Sequence, residues 1–352
     1  MKILILALSG IGDALMFTPA IKLLRQSQLS SQIDVLVMFK GTKEILENNL
    51  HLNNTIHFDF LKEGVLNSLK FVLSLRKKYD VTINVYPSNR KEYNFINFLI
   101  GAKQRAGVEY LRMNTQNFGW LNNVTVKEND NKHNVQTNIK LVEKLLNKKF
   151  NEEPPLEINL SDKDKNFASD YLEKSNIREN DFVVGFHPGC ATLKNHIKRR
   201  WEPEKFAELG KKLITEKNAK VFLFGGPEEE GLKSSIHKMI GSEQSYIIKT
   251  EKFLQSIAIM KRSNVFVTND SALMHVASAL GLKVIAIIGP TNPNYIHPWK
   301  TEHKIVSLNL DCAPCFYYSP KPLICTRKDV QFKCIKELDV EMVYKKFLEF
   351  TN

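Results

Sequence analysis

The sequence holds no run of about eighteen apolar residues, the length a membrane-crossing helix needs, so no such helix is expected. Met1-Lys2-Ile3 leads into the short apolar ILILAL without a secretory cleavage pattern, and a cytoplasmic protein beginning with a β-strand is predicted. The third glycine of G-x-G-x-x-G is missing after Gly10 and Gly12, and no Gly-Lys-Ser/Thr follows. That excludes a dinucleotide fingerprint and a P-loop. Helix-turn-helix signals and basic segments interleaved with aromatics are lacking too, which argues against a nucleic-acid partner. Acidic residues are in deficit: 38 Asp and Glu face 50 Lys and Arg, a formal charge of +12. Most of the excess lies in residues 1–150, with 21 basic against 12 acidic residues. This half is expected to meet an acidic partner, such as a phosphorylated glycolipid or an anionic membrane surface, solubility alone being the plain alternative. Cysteine is scarce until late in the chain. Of five, four fall together as Cys312, Cys315, Cys325 and Cys334. In a cytoplasmic chain, four clustered thiols fit a structural zinc or iron better than disulfides, though a CxxC turn beside small buried residues is the other reading.

What is present is an alternation of short apolar runs and amphipathic stretches across 352 residues, enough for two α/β domains. The most informative unit runs from Val265 to Pro293. Val265–Val267 reads as a buried strand, Ala272–Leu280 as a helix closed by Gly281, and Val284–Ile288 as a second strand ending at Gly289-Pro290. In such units the carboxyl ends of the strands face a ligand crevice. Asp270 and Ser271 are therefore expected there, with Asp270 either capping the helix or accepting from the hydroxyls of a polyol such as a sugar. His275, one turn on, is either a packed histidine or a ligand contact.

The amino-terminal half repeats the pattern. Strand Lys2–Leu8 runs into Ser9-Gly10-Ile11-Gly12-Asp13, a turn whose glycines admit close backbone approach of a ligand. A helix follows, with Thr18-Pro19 as a candidate start that would leave Asp13 on the loop. Asp13 is either a cap or a general base for an acceptor hydroxyl. Residues 107–131 read as an irregular, Asn-rich loop, and Asn151–Pro155 as a linker. In the second half, strand Phe182–Phe186 ends in His187-Pro188-Gly189, and Lys198-Arg199-Arg200 precedes a helix from Pro203. A glycine turn followed by cations and a helix start suits a diphosphate, unless the basic run is simply solvated. Glu229, after Gly225-Gly226-Pro227, either accepts from a ribose hydroxyl or serves as a first-turn carboxylate.

Five segments in this order carry a family resemblance: GDALMFTPA (Gly12–Ala20), HPG and KRRWEPEKF (His187–Phe206), FGGPEE (Phe224–Glu229), TNDSALMHVASALG (Thr268–Gly281) and GPTNP (Gly289–Pro293). Together they resemble glycosyltransferase family 9, the heptosyltransferases of lipopolysaccharide core synthesis. The resemblance implies a GT-B architecture of two Rossmann-like doubly wound domains facing a central cleft. The domains are expected at 1–155 (acceptor) and 156–335 (nucleotide-sugar), with a helix in 336–352 crossing back onto the first. It implies inverting, metal-independent transfer from ADP-heptose to a phosphorylated glycolipid, with no catalytic cofactor, at the inner membrane surface. Residue by residue, Asp13 corresponds to the catalytic base beside the acceptor-binding Gly12. Arg199, or its neighbour Lys198, corresponds to the phosphate-contacting cation. Gly189, Gly226, Glu229, Asp270, Ser271, His275 and Thr291 correspond to donor-binding positions. Ala272 stands where the family usually has glycine, and the basic run is longer than usual. Alternative readings are a protein acceptor, or a non-catalytic nucleotide- or nucleic-acid-binding module.

Overall fold

The computed structural model describes residues 1–318 and 321–351. It divides into two compact units, residues 1–159 with Tyr318, and residues 160–317 with the chain from Lys321 onward. The expected boundary after residue 155 thus falls four residues early, within an extended stretch whose Leu156 is buried.

The first unit is a six-stranded parallel sheet: β1 (Lys2–Ala7), β2 (Gln32–Val37), β3 (Asn54–His57), β4 (Val81–Asn84), β5 (Gln104–Glu109) and β6 (Val124–Lys127). Their order is β3-β2-β1-β4-β5-β6. Ile3 to Ala7 are all buried, the continuous apolar run that a central strand covered on both faces requires. Leu4, Leu6 and Leu36 pack on one face against Val72 of the helix Gly64–Ser74 and Ile100 of the helix Lys91–Ile100. Pairing of β1 with β2 is in register from Lys2–Gln32 to Ala7–Val37.

Residues 107–131 differ from the irregular loop expected of them. They contain part of β5 and all of β6. Both strands are short and interrupted by Gly107 or flanked by Asn residues, so alternation is too brief to read from sequence. The segment between them is tied down by buried amides. Asn117 donates to Asn89, Asn94 donates to the Asn117 carbonyl, and Asn97 donates to Asn122. Asparagines that look like loop composition here bond one another and the Asn117 carbonyl, so the buried amides satisfy each other.

The second unit repeats the winding: β7 (Val183–His187), β8 (Lys220–Leu223), β9 (Ser245–Ile247), β10 (Val265–Asn269), β11 (Lys283–Ile287) and β12 (His303–Val306), in the order β12-β11-β10-β7-β8-β9. Phe186, Val221, Val267 and Ile285 contribute to one core with Phe206, Leu209 and Leu213 of the helix Pro203–Lys217. Trp201 is fully buried in it, and its indole N–H donates to the Leu338 carbonyl at 2.8 Å. The helix expected to cross back onto the first domain, Val340–Thr351, instead belongs to the second unit. Val343, Tyr344, Phe347 and Phe350 form its apolar stripe and complete this core. The stripe needs an apolar surface to cover it, and the sheet edge β11–β12 with the helix Pro203–Lys217 supplies one.

Candidate functional site

In a doubly wound sheet, a crevice opens where the strand order reverses direction. In the second unit that point lies between β7 and β10. β7 delivers His187 there, followed by Pro188-Gly189-Cys190, and β10 delivers Asn269, Asp270 and Ser271. Asn269 fastens the two loops together: its amide donates to the Pro188 carbonyl at 2.7 Å, and its side-chain oxygen accepts from the Trp201 backbone N–H at 2.9 Å.

Asp270 is not the helix cap. Ser271 occupies that position, and no side chain caps the helix Ala272–Ala279. One oxygen of Asp270, Oδ2, accepts from the Arg199 guanidinium at 2.5 Å and from the Thr291 hydroxyl at 2.6 Å. Arg199 also contacts the His196 ring at 3.2 Å and lies over the Phe316 ring, 5.4 Å from its centroid. Arg199 is buried, whereas Lys198 is exposed, so of these two cations only Arg199 enters the cluster. The backbone explains the choice: Lys194 and Asn195 adopt left-handed conformations, and the turn Leu193–Arg199 brings the last residue inward.

A second buried chain runs beside the first. His187 sits between the Ser271 hydroxyl, 2.8 Å from Nδ1, and Glu229 Oε2, 3.1 Å from Nε2. Glu229 accepts further from the Arg200 guanidinium at 3.2 Å and from the Gly226 backbone N–H at 3.1 Å. Burial pushes the Glu229 carboxyl up, but the hydrogen bond and charge of His187, the Gly226 N–H and the Arg200 charge outweigh it and hold its pKa below the ordinary value. Gly189 is required by this packing, because a methyl group on it would overlap the Glu229 carboxylate. The glycine turn thus admits a carboxylate of the protein itself.

His275 is fully buried on the helix after Asp270, and burial lowers its pKa to about 4, against a smaller raising effect of Asp270. It is neutral at pH 7, and its Nδ1 has no hydrogen-bond partner among the described residues. His196 is likewise pushed down to about 4 by burial and then by the Arg199 charge.

In the first unit the order reverses between β1 and β4. The Ser9 hydroxyl bridges the two strand ends, donating to the Pro87 carbonyl at 2.8 Å. Asp13 lies here half-buried, not on a loop as its Thr18-Pro19 neighbours imply, but in the first turn of a short helix, Ile11–Leu15, with Gly12 buried beside it. It is close enough for its charge to help raise the phenols of Tyr93 and Tyr110, whose main cause of elevation is burial.

The four clustered cysteines are free thiols. Phe332 donates its backbone N–H to Cys325 Sγ at 3.2 Å, and Arg327 approaches Cys312 Sγ at 3.5 Å. Cys334 is pushed up to about 11 by burial, then by the neighbouring Cys315, Cys325 and Cys312. The thiols therefore lie within electrostatic reach of one another. Among the described residues, however, no group of three or more His, Cys, Asp or Glu side chains is arranged to hold an ion.

Of the residues that the sequence marks as donor-binding, Asp270, Ser271, Thr291, Gly189, Gly226, Glu229 and His275 all lie at the β7–β10 crevice or in its walls, together with Arg199. Of the residues that align the others, Arg200 belongs to the basic run already read from the sequence, whereas His187 and Asn269 receive no site role there. Their signal is position: His187 and Asn269 each end a strand of the sheet.

Two doubly wound parallel sheets of this kind are the GT-B fold. The structure of E. coli ADP-heptose lps heptosyltransferase II has the same fold, with a TM-score of 0.75 and 21% identity over 99% of this chain and 98% of that one. An iron-containing dodecameric glycosyltransferase, TibC from enterotoxigenic E. coli, matches with a TM-score of 0.59 and 12% identity, over 99% of this chain and 76% of that one. Residues 68–322 match glycosyltransferase family 9 (heptosyltransferase), and the chain belongs to this family. Among its relatives is lipooligosaccharide heptosyltransferase 2 of Haemophilus ducreyi, 26% identical over 320 residues, which are 88% of this chain and 89% of the relative.

Proposed function

We propose that this chain is an inverting heptosyltransferase that moves a heptose from ADP-heptose to a phosphorylated acceptor of the lipopolysaccharide-core type. The observation that carries the reading is the buried Arg199–Asp270–Thr291 cluster at the switch point of the second sheet. A cation there suits a diphosphate, and a carboxylate and a hydroxyl suit sugar hydroxyls. Asp13, at the corresponding point of the first sheet, is the general base. It takes the proton of the acceptor hydroxyl as that oxygen attacks the anomeric carbon. The bond from that carbon to the diphosphate oxygen breaks, and ADP leaves with the electron pair. Arg199, with Lys198 at the rim, stabilises the charge that gathers on the leaving diphosphate. Gly189, Gly226, Glu229, Ser271 and His275 shape the donor side, and Gly12 the acceptor side. The chemistry calls for no cofactor.

The names of the relatives support the lipid-linked acceptor, and the surplus positive charge of residues 1–150 suits its phosphates. We infer that the enzyme works in the cytoplasm, at the inner membrane surface, and that Cys312, Cys315, Cys325 and Cys334 close on a structural zinc or iron. Four thiolates clustered in the sequence form a donor set of the right softness. Elemental analysis of the purified protein decides this last point: less than one equivalent of either metal rejects it.

The deciding experiment is incubation of the chain with ADP-heptose and a heptose-deficient core glycolipid, followed by mass spectrometry. Gain of one heptose on the glycolipid with release of ADP supports the reading. Transfer only to a protein would move the acceptor to that class. Binding of ADP-heptose without turnover on any acceptor would favour a non-catalytic module.

A further inference from the structure

The helix Gly64–Ser74 is apolar on two sides. Phe71 and Val72 face the core under the sheet. Val65, Leu69 and Leu73, one turn apart, form a second stripe with Leu66, and all four are exposed, Val65 and Leu66 to 83% and 76%. Single exposed leucines are ordinary, but a continuous stripe on one helix is not. Exposed aromatics also lie on the neighbouring helix and just beyond it. The end of this helix is tied to the end of the next, where Lys77 donates its backbone N–H to the Ile100 carbonyl at 2.8 Å. On that second helix Phe98 is exposed, and the Arg105 guanidinium covers it while donating to the Leu121 carbonyl beside the exposed Trp120.

The surrounding charge is of one sign. Residues 61–105 hold nine Lys and Arg against three Asp and Glu. Lys62 and Lys70 flank the stripe directly, and Lys77 and Lys78 follow its carboxyl end, all exposed. An apolar stripe framed by cations matches the layering of a bilayer interface, where acyl chains lie beneath anionic headgroups, and an exposed tryptophan on the same unit suits the headgroup zone. A second copy of the chain fits poorly, because a two-fold interface through this stripe would set lysines against lysines.

We propose that the outer face of the helix Gly64–Ser74, with Phe98 and Trp120, docks on an anionic lipid surface. The amino-terminal end of this helix follows β3, at the same edge of the sheet as Asp13, so docking holds the acceptor crevice next to the headgroups. The inference deepens the acceptor reading above and rests on it only for what docking is useful for. Lipid binding itself is measured without any sugar transfer, so the two can fail separately.

The test is co-sedimentation of the full chain with vesicles of phosphatidylcholine, with and without phosphatidylglycerol. Binding is expected to the anionic vesicles only, and to weaken with added salt. Exposed substitutions keep the fold intact. Leu66→Gln with Leu69→Gln, and separately Lys62→Glu with Lys70→Glu, are each expected to lower vesicle binding about tenfold or more. Turnover on a detergent-dispersed acceptor is expected to stay unchanged for both. Equal binding of the variants and the parent overturns the proposal, as does absence of binding to anionic vesicles. Sedimentation equilibrium covers the remaining case: a dimer of the parent that the leucine variant dissolves assigns the face to a second copy and overturns lipid docking.

Discussion

Arg199 and Asp270 form an ion pair at 2.5 Å with both residues more than nine-tenths buried, 71 positions apart in the chain. Burying two charges is costly, and such a pair seldom adds net stability over an apolar replacement. Removing one partner alone is far worse, because the other remains buried without compensation. Asp270→Ala is therefore expected to destabilise the second unit by about 3 kcal/mol or more. Thr291→Val, which removes only a hydroxyl donor to the same carboxylate, should cost about 1 kcal/mol. Chemical denaturation that ranks these two in the reverse order would remove the pair from its structural role. In calorimetry on the folded variant, Asp270→Ala should weaken ADP-heptose far more than ADP. Equal weakening of the two would argue against contact between Asp270 and the sugar.

Asp13 makes a different prediction. It stands in the first turn of a short helix at the switch point of the first sheet, and a carboxamide keeps its shape. Asp13→Asn should lower kcat about a hundredfold or more, the usual contribution of a positioned general base. Affinity for ADP-heptose and thermal stability should hardly move. Steady-state kinetics that find kcat intact would reassign the proton to another group.

Acid should weaken the second unit in a defined window. Burial holds His275, His196 and His297 near about 4 in the folded chain, where unfolded histidines titrate near about 6.5. Between those values the unfolded state binds protons that the folded state refuses. Stability is therefore expected to be fully present above about pH 6.5 and to fall as the pH drops towards about 4. Glu229, held below its ordinary value, extends the loss to lower pH, with the same sign. Thermal melts across this range provide the check, and His275→Gln should flatten the profile. A midpoint that is level or rises on acidification contradicts the assignment.

Gly189→Ala tests the close approach at the β7 turn. Its methyl would meet the Glu229 carboxylate, so Glu229 would leave His187 and the Gly226 N–H. A loss of about 1–3 kcal/mol is expected, as for other overpacked sites, together with weaker ADP binding. Restored stability in Gly189→Ala combined with Glu229→Ala would identify the clash as the cause, and no restoration would point elsewhere.

Much of this site was legible because its residues end predicted strands. Val265–Asn269 and Val183–His187 each begin as an apolar run, and the residues just after such runs in an α/β chain fall at one edge of the sheet. Less legible was what each polar group would bind. Asp270 and Glu229 both read as carboxylates near helix starts, yet their partners are cations and a histidine from distant turns, which no local pattern reveals. The short strands β5, β6, β9 and β12 were missed for a related reason. They have three to six residues, and their neighbours rather than their own periodicity make them strands. The final helix shows the same limit, since a stripe such as Val343, Tyr344 and Phe347 announces that it will be covered but not by what.

That last helix also sets a timetable. The strands of the first sheet have all been synthesised by residue 127, whereas the second core lacks Phe347 and Phe350 until those late positions are reached. At ordinary translation rates the delay is on the order of tens of seconds. During it, the apolar surface formed by Leu213, Ile285 and Val306 has no lid, and a ribosome stalled before residue 340 would leave a finished first half joined to a sticky, unfinished second one.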